Sequence, residues 1–373
     1  MIRTYQYRLY PSKAQKEVMV AVLRSARFLY NHALAYRRKR WQESRQSVPY
    51  KELSGMWRDW RNEQPDDNPL RLLNMSAGQQ VLRRLEKTYN AFFRGGGFPR
   101  FKGRDRFNSV DYVYGDGCKL IDNRLYIQNV GNLKVKLHRP LPENGVIKTV
   151  NLKRKASGWY VCFAVDLPDT HFLPNNQPCA GIDMGLSRLL TLSDSACVDN
   201  PRWLKTSLAK LRLAQRTLSR RKKGSNRRRK AREQVARLHE HVANTRRDFW
   251  HKTTTHLVNT YGAIGIEDLK LGFMLNNKNL SQSAHDAGLG LFTQLLESKA
   301  ESAGSVVVKV NPKNTSQACS GCGCMVPKAL HVRVHNCPRC GLALDRDENA
   351  ARNIYHLAFK SAWTVPSGVN VEH

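Results

Sequence analysis

The chain has 373 residues, with 62 lysines and arginines against 30 aspartates and glutamates, a formal net charge of +32. Its 41% hydrophobic content, including 9% aromatics, supports two or three folded domains and excludes a wholly disordered basic tail. Self-repulsion of this size points to a polyanionic partner, nucleic acid first; no run approaches 18 apolar residues, so no membrane association is expected.

Residues 2–10 alternate as a strand does and stop at Pro11, after which Ser12-Lys13-Ala14-Gln15 reads as a capping box opening a helix. Val18, Val22, Leu23, Ala26, Leu29, Tyr30 and Ala33 keep three-and-four spacing up to the basic run Arg37-Arg38-Lys39-Arg40. The turn-rich Gln64-Pro65-Asp66-Asp67-Asn68-Pro69 precedes a second helical block at about 70–94. Gly95-Gly96-Gly97 then leads into Phe98-Pro99-Arg100-Phe101-Lys102. Short strands at 125–127, 133–137, 146–152 and 159–165 predict a small β-barrel within 107–167. Polarity changes around 174–178, the expected main boundary, and Ala180-Gly181-Ile182-Asp183-Met184-Gly185 opens a second domain with a buried strand.

Residues 202–232 hold 14 lysines and arginines and no acid. Leu204, Leu208, Leu211 and Leu218, then Val235, Leu238, Val242 and Phe249, keep helical spacing on either side of Gly224-Ser225-Asn226, which predicts a basic helical hairpin over 202–250. Such a run is usually a solvated face. Here an apolar stripe pins one side and no acid pairs the other, which favours a nucleic-acid contact through Lys222, Lys223, Arg227, Arg228 and Arg229; Arg100 and Lys102 are further candidates. Tyr5, Tyr7, Tyr10, Trp57, Trp60 and Phe101 could stack on bases, but their spacing favours core packing.

Cys319-x2-Cys322 and Cys337-x2-Cys340, 14 residues apart and each ending in Cys-Gly, have the spacing of a closed structural zinc site. Cys324 and the remaining cysteines lack such spacing, and a reducing cytoplasm is expected. The start of the chain has no apolar core that could serve as a secretory signal. Three carboxylates stand out: Asp183 in an apolar strand pattern, Glu267 ending Ala263-Ile264-Gly265-Ile266, and Asp347 at the start of a helix. Buried acids are costly unless something positive joins them, and their convergence would suit two Mg2+ ions in phosphodiester hydrolysis.

These residues resemble TnpB, the OrfB protein of IS200/IS605-type transposons. The likeness is carried by Gly-Ile-Asp-Met-Gly at 181–185, the basic hairpin, Gly-Ile-Glu-Asp-Leu at 265–269, Asn314-Thr315-Ser316-Gln317, and the stretch from Cys337 to Ile354. The resemblance implies an RNA-guided, Mg2+-dependent DNA endonuclease related to Cas12. It would bind a guide RNA from the transposon end and recognise a short motif beside a double-stranded DNA target. An RNA-guided repressor without cleavage is the alternative. The implied catalytic set is Asp183, Glu267 and Asp347 as magnesium ligands, with Asp345 as rival for the third position, and Arg333 near the scissile phosphate. The implied fold is α+β and multidomain. A wedge-like β-barrel (1–10 and 99–176) carries a helical recognition insertion (11–98). An RNase H-like RuvC domain (177–316 and 341–360) carries a zinc ribbon (317–340), and a disordered tail follows (361–373). One protein per RNA is expected, with a dimer as the alternative, in a prokaryotic cytoplasm near the nucleoid.

Overall fold

The computed structural model describes residues 1–104, 106–168, 177–329 and 331–359. The chain divides into two units near residue 169. The expected boundary segment, except Gln177 and Pro178, and the expected tail at 361–373 lie outside the described residues.

The first unit opens with β1 (Ile2–Tyr10) and α1 (Lys13–Ser44). Ser12 caps α1 as expected, its hydroxyl accepting from the Gln15 N–H while the Gln15 side chain accepts from the Ser12 N–H. Next come α2 (Tyr50–Glu63), a 3-10 turn (Pro69–Leu72) and α3 (Met75–Phe93), which Asn74 caps. The second helical block thus starts at Met75, and α2 is an element the sequence reading passed over. Six strands complete the unit: β2 (Ser109–Val113), β3 (Cys118–Ile121), β4 (Arg124–Ile127), β5 (Gly131–Lys136), β6 (Val146–Lys155) and β7 (Gly158–Asp166). With β1 they form one antiparallel sheet in the order β2-β6-β7-β1-β5-β4-β3. The edge strands β2 and β3 are joined by a turn but share no ladder, so the sheet is a half-barrel where the sequence predicted a barrel. Its inner face and the helices share one core that includes Tyr7, Leu34, Trp57, Leu85, Tyr112 and Phe163. Trp57 is therefore packing, not a stacking surface.

The second unit is built on β8 (Cys179–Met184), β9 (Arg188–Leu192), β10 (Cys197–Asp199), β11 (Ala263–Glu267) and β12 (Val306–Val310), in the order β10-β9-β8-β11-β12. The first three pair antiparallel; β8-β11 and β11-β12 are parallel. Two long helices, α4 (Trp203–Arg220) and α5 (Asn226–Thr260), join β10 to β11. Between β11 and β12 lie α6 (Gly272–Asn276), α7 (Ser281–Ala287) and α8 (Leu289–Ala303). The short pair β13 (Val334–Asn336) and β14 (Ala343–Asp345) precedes α9 (Arg346–Phe359).

Side-chain alternation along a strand assigns the two faces of this sheet. Ile182 and Ile266 pack with Trp250, Leu257, Phe292 and Leu296 in a core formed with α5 and α8. On the opposite face Gly181 and Gly265, register partners in β8 and β11, lie under α9. A Cβ at Gly181 would fall 2.3 Å from the Ala351 carbonyl oxygen, and one at Gly265 would fall 2.8 Å from the Ala358 Cβ. The paired glycines make the trough in which α9 rests.

Candidate active site and metal centres

The same alternation sets the site. In Gly181-x-Asp183 and Gly265-x-Glu267 the acid lies two residues beyond the glycine, on the glycine's face, so both carboxylates project on the side that α9 covers. The parallel pairing runs to Ile182 and Ile266, which brings Asp183 and Glu267 to the carboxyl ends of neighbouring strands. Open sheets with parallel strands use that end for ligands. Asp347 lies in the first turn of α9, whose N-terminus favours negative charge.

Electrostatics show that the three acids are neighbours. The Asp183 carboxyl is pushed well above the ordinary carboxylate range, chiefly by burial and then by the charges of Glu267 and Asp347, with Arg346 and the Met184 N–H opposing. Burial also raises Glu267, against the Thr315 hydroxyl, which donates to its Oε1 at 2.5 Å. The three carboxylates are not gathered into one tight knot: among the described residues only the four cysteines bring every ligand atom within 4.8 Å of the others. Among the described residues Asp183 and Glu267 make no ion pair, and Arg346 and the rim Arg333 only partly offset the three charges, so this spread acid set has the donor chemistry of a divalent-cation site.

The two rivals for the third acid occupy different environments. Asp345 accepts from the Asp347 N–H at 2.8 Å, capping α9, and its other oxygen pairs with Arg188 at 3.3 Å. Asp347 is the acid whose charge acts on Asp183. Arg333, exposed between the cysteine pairs, reaches Asp347 at 3.8 Å and donates to the Ser187 hydroxyl at 3.2 Å, which places it at the rim of the acid group.

The four predicted cysteines converge, with Cys319–Cys340 and Cys322–Cys337 sulfur separations of 3.6 Å. Zinc–sulfur bonds of about 2.3 Å give tetrahedron edges of about 3.8 Å, so the four sulfurs fit that ion. Gly323 and Gly341, at φ 72° and 75°, turn the backbone after each pair and return N–H groups to the Cys319 and Cys337 carbonyls. The backbone N–H groups of Cys340 and Arg339 help to draw the Cys337 thiol down to about 6, while contacts among the four sulfurs raise Cys322 and Cys340 against their own backbone donors. Cys324 stays outside the cluster.

Sequence reasoning missed the residues that couple these two centres. Asn349, fully buried, accepts from the Ser320 N–H and donates to the Ala318 carbonyl; Asn353, one turn on, donates to the Thr315 and Ala318 carbonyls. Two asparagines at i and i+4 beside a metal knuckle were the available signal.

Thirteen of the fourteen cations in 202–232 are exposed, including Lys222, Lys223, Arg227 and Arg229. Arg229 lies 3.5 Å from Glu233. Arg228 is the exception, donating to the Leu218 and Arg221 carbonyls and so closing the C-terminus of α4. Asp286 fixes the root of the hairpin by accepting the Leu204 N–H on both oxygens and pairing with Arg246 at 3.0 Å. In the first unit Arg100 is exposed and Lys102 is half-buried, its backbone clamped by Asn31.

Comparison with known proteins places the chain. A protein of Streptomyces pristinaespiralis, provisionally named as an RNA-guided DNA endonuclease, is 32% identical over 94% of this chain and 88% of its own length. This chain belongs to the TnpB (OrfB) family of IS200/IS605 transposons. The OrfB_IS605 profile, described as a probable transposase, matches 162–278; a Cas12f1-like TNB domain matches 290–354 and a helix-turn-helix domain matches 1–46. InsQ of Escherichia coli K12, also provisionally named as an RNA-guided DNA endonuclease, is 29% identical over 95% of this chain and 91% of its own. The fold is that of Cas12 proteins. Cas12f1 in a complex with sgRNA and target DNA superposes with a TM-score of 0.54 at 13% identity, covering 95% of this chain and 98% of that one. The mini-RNA-guided endonuclease CRISPR-Cas_phi3 gives 0.56 at 8% identity, covering 96% and 92%. No helix among the described residues is long and apolar enough to cross a membrane.

Proposed function

We propose that the chain is an RNA-guided DNA endonuclease that cleaves DNA with two Mg2+ ions held by Asp183, Glu267 and Asp347. The observation that carries this reading is the placement of Asp183 and Glu267 at the carboxyl ends of the neighbouring strands β8 and β11, on the face covered by α9, whose first turn bears Asp347. Bound there, magnesium would supply an activated water and stabilise the leaving oxygen of a phosphodiester. The protein's own part is to hold the three acids apart at fixed positions against the cost of burial and like charge, which a bound cation would offset, with Arg333 at the rim positioned for a phosphate oxygen. The order β10-β9-β8-β11-β12, three antiparallel strands and then parallel pairs, supports an RNase H-like assignment for 177–316 and 341–360. Zinc on Cys319, Cys322, Cys337 and Cys340 is structural in this reading, since four thiolates leave no open position. The half-barrel and its helices serve recognition of a short DNA motif. The exposed hairpin cations, with Arg100 and Lys102, track phosphates of guide RNA or DNA, while base pairing reads the target. One chain per RNA in the prokaryotic cytoplasm completes the proposal.

The test is co-expression with the native locus, sequencing of the copurifying RNA, and incubation with guide-matched plasmids bearing randomised flanks, with and without Mg2+. Mg2+-dependent cutting beside one enriched motif, lost in Asp183→Asn with RNA and target binding retained, is the expected result. Guided binding without cutting by the unmutated chain would replace it with the repressor reading.

A further inference from the structure

We propose that a groove between the C-terminal ends of α1 and α3 is a stacking site for an unpaired base of the bound RNA, an inference that rests on the RNA-guided reading above. The groove encloses about 690 Å3 and is lined by Arg38, Trp41, Tyr89, Phe92, Phe93 and Phe98, among others. Rings of this kind normally seek burial, yet Trp41 is 51% exposed, Phe93 75% and Phe98 45%, with Phe101 nearby at 49%. An apolar surface of this character marks an interaction site.

Charge selects the occupant. The Arg38 guanidinium lies 5.8 Å from the Phe98 ring centre and 5.5 Å from that of Phe101, and Arg45 lies 6.0 Å from Trp41. Glu86, the acid on the groove wall, is neutralised by Arg37 at 2.5 Å. Half-exposed rings, each of Trp41, Phe98 and Phe101 with a guanidinium over one face, suit a base stacked on exposed ring surface and a phosphate beside the cation, which is how single strands are held irrespective of sequence. An apolar peptide would fill the groove but leave these cations without counterions. A duplex would present its phosphates but hide the faces of its bases, so the occupant is an unpaired segment.

The experiment uses the full chain and the RNA that copurifies with it, transcribed in vitro and end-labelled. Trp41→Leu with Phe93→Leu keeps both positions apolar and removes two rings that are 51% and 75% exposed, so little core packing is lost, and an unchanged melting temperature checks that folding is undisturbed. Stacking contributes about 1–3 kcal/mol per base, so affinity should fall between about fivefold and 150-fold per stacked base. The slope of affinity against salt should not change, because no phosphate contact is removed. Ultraviolet crosslinking of the unmutated complex should join RNA to peptides containing Trp41, Phe93 or Phe98. Equal affinity of variant and unmutated chain, with no crosslink at these rings, overturns the inference while leaving the RNA-guided reading intact. Equal RNA affinity with a self-association that the two substitutions abolish would assign the groove to contact between copies, and overturns it too. Failure of the unmutated chain to bind the RNA at all would remove both readings.

Discussion

Replacing Gly181 by alanine tests how the acid group is assembled. The added Cβ would lie 2.3 Å from the Ala351 carbonyl oxygen, 2.4 Å from the Tyr355 nitrogen and 2.8 Å from the Tyr355 Cα. All three are backbone atoms of α9, so no side chain can swing aside, and the helix must lift by roughly 1 Å to regain ordinary van der Waals separation. Overpacking of this kind costs about 1–3 kcal/mol. In a unit of this size each kcal/mol lowers the melting temperature by about 2–4 °C, so the second unit should melt about 2–12 °C lower. Because α9 carries Asp347, the same displacement moves one acid of three, and a misplacement near 1 Å costs on the order of 100-fold in rate. The assays are calorimetry and single-turnover plasmid cleavage, with copurifying RNA measured alongside to show that guide binding persists. Gly55→Ala is the control. Nothing lies within 4 Å of its added Cβ, and inside α2 alanine should add about 0.5–1 kcal/mol of stability. A Gly181→Ala protein that melts and cleaves like the unmutated chain would refute the idea that the paired glycines seat α9.

Three further predictions follow from individual contacts. Because the folded-state pKa of Asp183 is raised, the folded protein holds that proton more tightly than the unfolded chain, so this group's contribution to metal-free stability is fully present below the ordinary carboxylate range and is lost as pH rises through the raised value. Asp183→Asn in EDTA should therefore melt above the unmutated chain at neutral pH and lose the stabilisation that Mg2+ gives it; a pH-melting profile unaffected by the substitution would count against the crowding. Asn353→Ala strips the Thr315 and Ala318 carbonyls of a buried donor, which should cost about 1–3 kcal/mol by denaturant unfolding and, through Thr315, slow cleavage; wild-type stability would contradict it. Arg228→Ala should loosen the end of α4 with little change in the salt dependence of RNA binding, whereas neutralising Lys222, Lys223 and Arg227 together should flatten that dependence without lowering the melting temperature; the reverse pattern would exchange their roles.

Which features the sequence disclosed depended on whether their causes are local. The capping box at Ser12 and Gln15 and the helical hairpin follow from spacing within a few residues, and both were legible. The acids were legible for a related reason, since Asp183 and Glu267 interrupt apolar strand patterns. By contrast α2 escaped because Pro49 offers no side-chain cap, Gly55 weakens its interior, and only Leu53 and Trp57 of its stripe are buried. Strand β9 escaped because Leu189 to Leu192 are all buried, leaving no alternation to read. Closure of the barrel depends on pairing between β2 and β3, which the turn linking them does not impose. Asp-Arg-Asp alone does not distinguish the environments of Asp345 and Asp347, because they depend on where α9 begins: the residue before the helix becomes its cap, and the charge of the one inside its first turn acts on Asp183.

The cysteine cluster and the acid group are best understood as one construction. Ala318 and Ser320 flank the ligand-type Cys319, and both are held by Asn349 of α9. Asn353 holds the Ala318 and Thr315 carbonyls, and the Thr315 hydroxyl in turn holds Glu267. Glu267 is thus oriented from outside its own strand, Asp183 by the register of β8 against β11, and Asp347 by a helix that Asp345 caps and paired glycines admit. No one of these constraints lies within the acid group itself. A zinc ion on four sulfurs would act on the acids without touching them, by making residues 315–320 a rigid strut between Glu267 and the helix that bears Asp347. The four cysteines stand immediately before α9, where stiffness in so small a loop would pass to the helix that bears Asp347 through the hydrogen bonds of Asn349 and Asn353.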